Sequence, residues 1–239
     1  MALDHALADC LPPGEGRLRL YGWAPPTVSF GRNEPAAGLY DVEAARRTGL
    51  AFVRRPTGGR AVLHADEVTY CVVLPAHSSG GARSVYRRIH RGLVEGLRIL
   101  GVAARVVEGG TVSRPDAGPC FRAPAPGEVV VGGRKLVGSA QARIGDVILQ
   151  HGSVILRGDQ APLARLAGRT GPDPSPPATL EGASGGALDA TDVVEALARG
   201  LCLALGGRWA EGDYLPTEIR RADDLEQDRY ARDTWTWRR

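Results

Sequence analysis

The chain has almost no lysine: 29 of its 30 basic residues are arginine, and the exception is Lys135. It also lacks any apolar run near the roughly 18–20 residues that cross a bilayer, so no membrane span is expected. No basic N-terminal segment leads into an apolar stretch, which argues against a secretory leader and makes the cytoplasm the expected compartment. The four cysteines, Cys10, Cys71, Cys120 and Cys202, form no CxxC pair and no cluster with histidine. Neither a zinc site nor a redox pair is therefore indicated, and each should be a free thiol. Internal repeats, a Walker sequence and a GxGxxG turn are also missing. A net charge of +3, not gathered into a stripe, argues against a nucleic-acid surface. What remains is a chain of 239 residues, 43% hydrophobic, long enough for one substantial core and read as a single domain over residues 1–239.

The scarcity of lysine is informative because arginine can replace most surface ammonium groups but cannot give up its proton at accessible pH. The one lysine left is a candidate for proton chemistry; the other reading is that a lone lysine could fall by chance at any basic position.

Patterning predicts helices over residues 2–11 and 42–48. A longer helix is expected with Ser84 as its cap, Val85, Ile89, Leu93, Leu97 and Leu100 on one face and Gly101 as its stop. A last helix, capped by Thr191, runs through Leu205. Strands are expected over residues 17–23, 27–31, 50–55, 68–74, 128–131, 135–143 and 147–156, the last three as a meander. Residues 168–186, rich in Pro, Gly, Ser and Ala, read as a mobile loop. Strands in the middle and helices around them predict an α+β fold with a mixed-sheet core.

Three stretches carry candidate chemistry. In the first, Arg54, Arg55 and Arg60 surround Gly58 and Gly59 and lead to His64. Paired glycines expose backbone amides and the side chains supply donors, which suits a phosphate, a carboxylate or an extended thioester. A basic hairpin turn explains the same residues equally well. In the second, Cys120 follows Gly118-Pro119, where a turn can leave its thiol accessible, and Gly132 to Gln141 brings Lys135, Gly138, Ser139 and Gln141. A thiol titrating near ~8.5 and an amine near ~10.4 can share a proton as thiolate and ammonium once desolvated. Without Lys135, a small buried hydrophobe would be the better reading of Cys120. In the third, His151 and Gly152 lie mid-strand, either lining a pocket or as a hydrogen-bonded structural pair. His77 and His90 read as surface residues without a role.

Taken together, RRPTGGRAVLH (54–64), CFRAP (120–124), GRKLVGSAQAR (133–143) and ILQHGSVIL (148–156) resemble the biotin/lipoate protein ligase superfamily. MALDHAL and YGWAPPTVSFG near the start and RYARDTWTW near the end extend the resemblance over nearly the whole chain. The cysteine before GRKLVGSAQ is similar to the octanoyltransferase branch in which cysteine precedes lysine. The resemblance implies a fold shared with class II aminoacyl-tRNA synthetase and biotin/lipoate ligase cores. It implies Cys120 as acyl carrier and Lys135 as the group that lowers its pKa. Arg54, Arg55, Gly58, Gly59, Arg60 and His64 would form part of an acyl or phosphopantetheine pocket, with Gly138, Ser139, Gln141, His151 and Gly152 as further substrate-binding positions. The implied donor is octanoyl-acyl carrier protein, and the implied acceptor is a lysine of a lipoyl domain or of glycine-cleavage H protein. No cofactor, nucleic acid or membrane enters, and a monomer is expected. Two alternatives are an ATP-dependent lipoate-protein ligase, which would need ATP and Mg, and a non-catalytic acyl-binding protein. Ala65 departs from the acidic or amide residue that follows the histidine in many relatives. Beginning at MALD, the chain is expected to lack a strand found upstream in relatives.

Overall fold

The computed structural model describes residues 1–77, 80–108, 127–168 and 176–238. Its largest sheet is built on β5 (Glu67–Pro75), whose near-continuous β-branched and aromatic run is buried on both faces, as a central strand requires. All pairings are antiparallel, in the order β1 (Arg17–Tyr21), β5, β10 (Val147–Ile155) and β9 (Val137–Ile144). A second sheet sets β2 (Thr27–Phe30) between a parallel β3 (Ala51–Arg54) and an antiparallel β4 (Val62–His64). A third joins β6 (Arg105–Val106), β7 (Val129–Val131) and β8 (Arg134–Lys135). The α+β expectation with a mixed sheet holds.

One face of the large sheet packs on α3 (Ala82–Ile99) and α6 (Ala190–Leu205) through Tyr70, Val72, Ile89, Leu93, Leu97, Leu197 and Leu201, all at most 1% exposed. The opposite face receives α1 (Ala2–Asp9) through Leu7, Ala8 and Leu149. Contact between α3 and α6 is close because Gly92 and Gly96 face Gly200. A Cβ built on Gly200 would lie 2.3 Å from the carbonyl oxygen of Gly92 and 2.3 Å from the amide nitrogen of Gly96. Gly200→Ala is therefore expected to push the helices apart and destabilise the fold by about 1–3 kcal/mol, read as a lower midpoint in urea unfolding.

The small sheet is closed by the C-terminal segment. Here α7 (Pro216–Leu225) continues into a π-helical turn (Glu226–Tyr230) and then α8 (Asp233–Thr236). Trp237 packs edge-on against Phe30 at 5.2 Å and lies 4.9 Å from Phe52. Helix α2 (Val42–Arg47) and helix α4 (Ala161–Leu166) flank the same region.

Several local expectations are corrected. Ser84 does not cap α3, which starts two residues earlier behind Gly81, a residue whose φ of 85° favours glycine. Asp189, not Thr191, caps α6, its carboxylate accepting the Thr191 amide at 2.7 Å. Within the stretch read as a loop, α5 (Leu180–Ser184) is a helix capped by Thr179, and Leu180 is 1% exposed. Residues 169–175 of that stretch lie outside the described residues. Among the described residues no helix is long and apolar enough to cross a membrane.

Candidate active site

A narrow cleft opens where the loop between β3 and β4 leans over the middle of β9 and β10. Arg55, Gly59, His64, Gly138, Ser139, His151 and Gly152 line it, so one cleft joins residues from all three stretches singled out in the sequence.

Close approach of backbones makes this geometry possible. A Cβ on Gly31 would fall 1.8 Å from the carbonyl oxygen of Gly59, so only glycine lets β2 pass beneath the loop. Likewise a Cβ on Gly152 would lie 2.4 Å from the Gly138 carbonyl oxygen. The loop is then pinned from within by Arg55, 5% exposed. Its guanidinium donates to the carbonyl oxygens of Gly58 (2.9 Å), Arg60 (2.7 Å) and Ser29 (3.0 Å), and to Ser29 Oγ (3.1 Å). Arg54 is 0% exposed and absent from the cleft lining. It points to the rear, donating to the carbonyl oxygens of Gly31 (2.6 Å), Glu34 (2.7 Å), Trp235 (3.0 Å) and Arg238 (3.0 Å). Its role here is to clamp the C-terminal segment to the small sheet, in place of the substrate contact read from the sequence. Gly58 and Arg60 contribute carbonyls to the Arg55 clamp and are likewise not part of the lining.

Two buried imidazoles stand on either side of the loop, each held at both nitrogens. His64 Nδ1 is 2.7 Å from Glu67 Oε1 and Nε2 is 2.7 Å from Ser29 Oγ. With Nδ1–H donating to the carboxylate, Nε2 accepts from the serine hydroxyl. Ser153 and Thr69 also donate to Glu67 Oε1, and the Trp23 indole stacks on the His64 ring at 4.5 Å. On the other side, His151 Nε2 lies 2.7 Å from Thr57 Oγ1 and Nδ1 lies 3.5 Å from Asp4 Oδ2. Burial raises the Asp4 carboxyl, but the His151 hydrogen bond and the Arg19 guanidinium at 2.7 Å overcome it and hold the group well below the usual carboxylate range. Burial lowers the pKa of His151 in spite of Asp4, so the imidazole is neutral at pH 7.

A third histidine, His90, corrects the surface reading made from the sequence: it is 0% exposed. Its Nδ1 meets the carbonyl oxygen of Gly127, and Nε2 lies 2.8 Å from Ser139 Oγ. A directed chain of hydrogen bonds leads to it. Gln141 Nε2 donates to Gln150 Oε1 (2.9 Å), Gln150 Nε2 to the Tyr70 hydroxyl (3.0 Å), and Tyr70 to Ser139 Oγ (2.8 Å). Gln141 thus sits at the far end of the chain, not in the cleft, and also donates to the Ala82 carbonyl oxygen (3.0 Å).

Burial pulls the His90 pKa down to about 4, opposed by the Gly127 carbonyl and helped by the nearby charge of Lys135. The unfolded chain therefore binds the extra proton between pH ~6.5 and ~4, so the stability that neutral His90 contributes is present above pH ~6.5 and lost as pH falls. By pH 5 the loss from this group is about 2 kcal/mol. In urea unfolding at pH 7 and pH 5, His90→Gln is expected to lose less stability on acidification than the parent; equal losses would contradict the buried neutral histidine.

Lys135, 3% exposed, ends β8 outside the cleft lining and donates from Nζ to Glu128 Oε1 at 2.5 Å. Its intended partner Cys120 lies outside the described residues. Among the described cysteines, Cys71 is buried in β5, with burial pushing its thiol well up. No group of three or more His, Cys, Asp or Glu gathers to hold a metal ion among the described residues. Asp4, Ser29, Thr57, Glu67, His90 and Glu128 were missed by sequence reasoning. Only Glu67, three residues beyond His64, had a local signal.

The profile of the lipoyl protein ligase A/B catalytic domain matches residues 1–202. The chain is 42% identical to octanoyltransferase LipM of Kyrpidia tusciae, an alignment covering 100% of this chain and 94% of that protein. Against octanoyltransferase LipM of Symbiobacterium thermophilum the identity is 38%, covering 100% and 93%. Among solved structures, lipoate-protein ligase A bound with ATP aligns with a TM-score of 0.80 at 24% identity, covering 99% of this chain and 92% of that one. A bi-partite lipoate protein ligase from Thermoplasma acidophilum aligns with a TM-score of 0.77 at 23% identity, covering 99% and 89%. These two likenesses support the fold, and the profile and full-length identities carry the assignment: the chain belongs to the lipoyl protein ligase A/B catalytic domain family.

Proposed function

We propose that the chain is an octanoyltransferase that moves an octanoyl group from acyl carrier protein to a lysine of a lipoyl domain or of glycine-cleavage H protein through an acyl-Cys120 intermediate. The observation that carries the reading is the burial of Lys135 on Glu128. Burying an ammonium costs several kcal/mol, and a chain that uses arginine at every other basic position has no structural need for lysine there. A group able to release and recover a proton does need it.

In the first step the Cys120 thiolate attacks the thioester carbonyl carbon. A new C–S bond forms, the carrier C–S bond breaks, and the departing pantetheine thiolate takes a proton from the Lys135 ammonium. In the second step the neutral amine of the acceptor lysine attacks the acyl-Cys120 carbonyl. The amide forms, Cys120 leaves as thiolate, and neutral Lys135 recovers the amine proton. Thioester and amine become thiol and amide, and Lys135 ends as it began. The cleft between the Gly59 loop and β9 suits the apolar acyl chain, and the amides near Gly138 are candidate donors to the oxyanion.

The Arg55 clamp favours this reading over an ATP-dependent ligase. Its guanidinium faces the carbonyls of Ser29, Gly58 and Arg60, a use that does not present it to a polyphosphate. Incubation with octanoyl-carrier protein and a lipoyl domain, without nucleotide or metal, is expected to yield octanoylated domain. Pyrophosphate release from ATP and lipoate, with no transfer from the carrier thioester, would support the ligase instead.

A further inference from the structure

A second, larger groove of about 1020 Å³ lies on the outer side of α3, away from the cleft. Its floor is apolar, from Tyr86 and Val94 of α3 to Val106 of β6, and continues toward Leu203 of α6, which is 74% exposed. Its rim is basic. Arg83, Arg87 and Arg91 repeat every four residues along α3, so they share one face of the helix, and Arg105 joins them from β6. All four are exposed, and none forms an ion pair with a carboxylate among the described residues. The facing elements supply little opposing charge: Glu108 lies in the groove, and Glu95 is engaged by Arg98 at 3.0 Å. Four like charges around an apolar floor repel one another unless a partner of opposite sign is bound.

The groove is also placed to matter for transfer. Glu108 and Gly127, the two residues that bracket the stretch bearing Cys120, both line it. Its wall at Gly127 belongs to the hydrogen-bond chain of the cleft, because the Gly127 carbonyl holds His90 and the Tyr86 ring lies 4.0 Å from the His90 ring.

We propose that this groove docks the donor: an acidic, amphipathic helix of the octanoyl-bearing carrier protein, with its apolar side on the Val94–Val106–Leu203 floor and its carboxylates on Arg83, Arg87, Arg91 and Arg105. The assignment rests on the octanoyltransferase reading above. Charge complementarity selects an acidic partner, and the apolar floor distinguishes a helix laid in a groove from a diffuse anion. Seated there, the carrier lies beside Glu108 and Gly127, the residues that flank the Cys120 stretch in the sequence.

The test compares a protein-borne with a free thioester. For the variant carrying Arg83→Glu, Arg87→Glu and Arg91→Glu, the KM for octanoyl-carrier protein is expected to rise about tenfold or more, with kcat retained. Acylation by octanoyl-pantetheine, which has no helix to dock, should stay within about twofold of the parent. The parent's KM for the carrier should rise with salt and the variant's should not. The single Arg87→Glu variant should show the same pattern at smaller size, which keeps the test open if the triple variant does not fold. An unchanged KM for the carrier would overturn the proposal. So would equal losses with both thioesters, the result expected if the groove serves the fold or is covered by the chain itself, or a rise in KM confined to the acceptor domain. If the parent is not acylated by octanoyl-carrier protein, the transferase reading fails separately. Salt-dependent binding of holo-carrier protein, present in the parent and lost in the variant, then still decides the surface.

Discussion

Cys120→Ser is expected to lower octanoyl transfer by at least about 10³-fold, the scale on which loss of a nucleophile reads out in enzymes that act through a covalent intermediate. A thiol of pKa near ~8.5 ionises far more readily than a serine hydroxyl, and an ammonium nearby lowers it further. The variant should also bind octanoyl-carrier protein with unchanged affinity, since the donor contacts proposed here lie on α3 and β6 and not on the nucleophile. Residual transfer within about tenfold of the parent would place the chemistry on another group. Cys71 is not a candidate for it, because β1 and β10 enclose it on both sides and burial raises its thiol pKa.

Lys135→Arg is expected to cost about 10²–10⁴-fold in turnover, the usual range for loss of a positioned general acid or base. Guanidinium keeps the positive charge beside Glu128, so a purely electrostatic role would survive the change. It cannot deliver or recover a proton at accessible pH. The two half-reactions should therefore separate. Acylation of Cys120, helped by positive charge, should fall less than transfer to the acceptor lysine, whose ammonium proton needs a neutral base to receive it. Single-turnover measurement of adduct formation and adduct decay reads both steps. Equal rates in parent and variant would reduce Lys135 to a charged neighbour.

Much of the cleft was legible because its backbone demands are local. Gly152 marks a place where chains approach too closely for a Cβ, Gly59 takes a left-handed backbone with φ of 92°, and both line the cleft. The side-chain partners were not legible, because the fold assembles them from far apart. His151 meets Asp4 across 147 positions, and His90 meets Ser139 across 49, with no spacing to read. Arginine was misread for a related reason: Arg54 and Arg55 look like anion ligands in a string, yet their donors face carbonyl oxygens left over by irregular loops. Two helix caps slipped by two or three residues because more than one residue near each could serve as cap. The helices beyond residue 205 were missed because their apolar positions are few and pack against α1 and the small sheet, not against the main core.

The covalent step is where transfer and ligation part most sharply, and intact-mass analysis with peptide mapping reaches it directly. After brief mixing with octanoyl-carrier protein and no nucleotide, the chain should carry one octanoyl group, on the peptide containing Cys120 and labile to hydroxylamine. An unmodified chain under conditions where the acceptor domain becomes octanoylated, or an adduct mapped to any other residue, would contradict the acyl-Cys120 route.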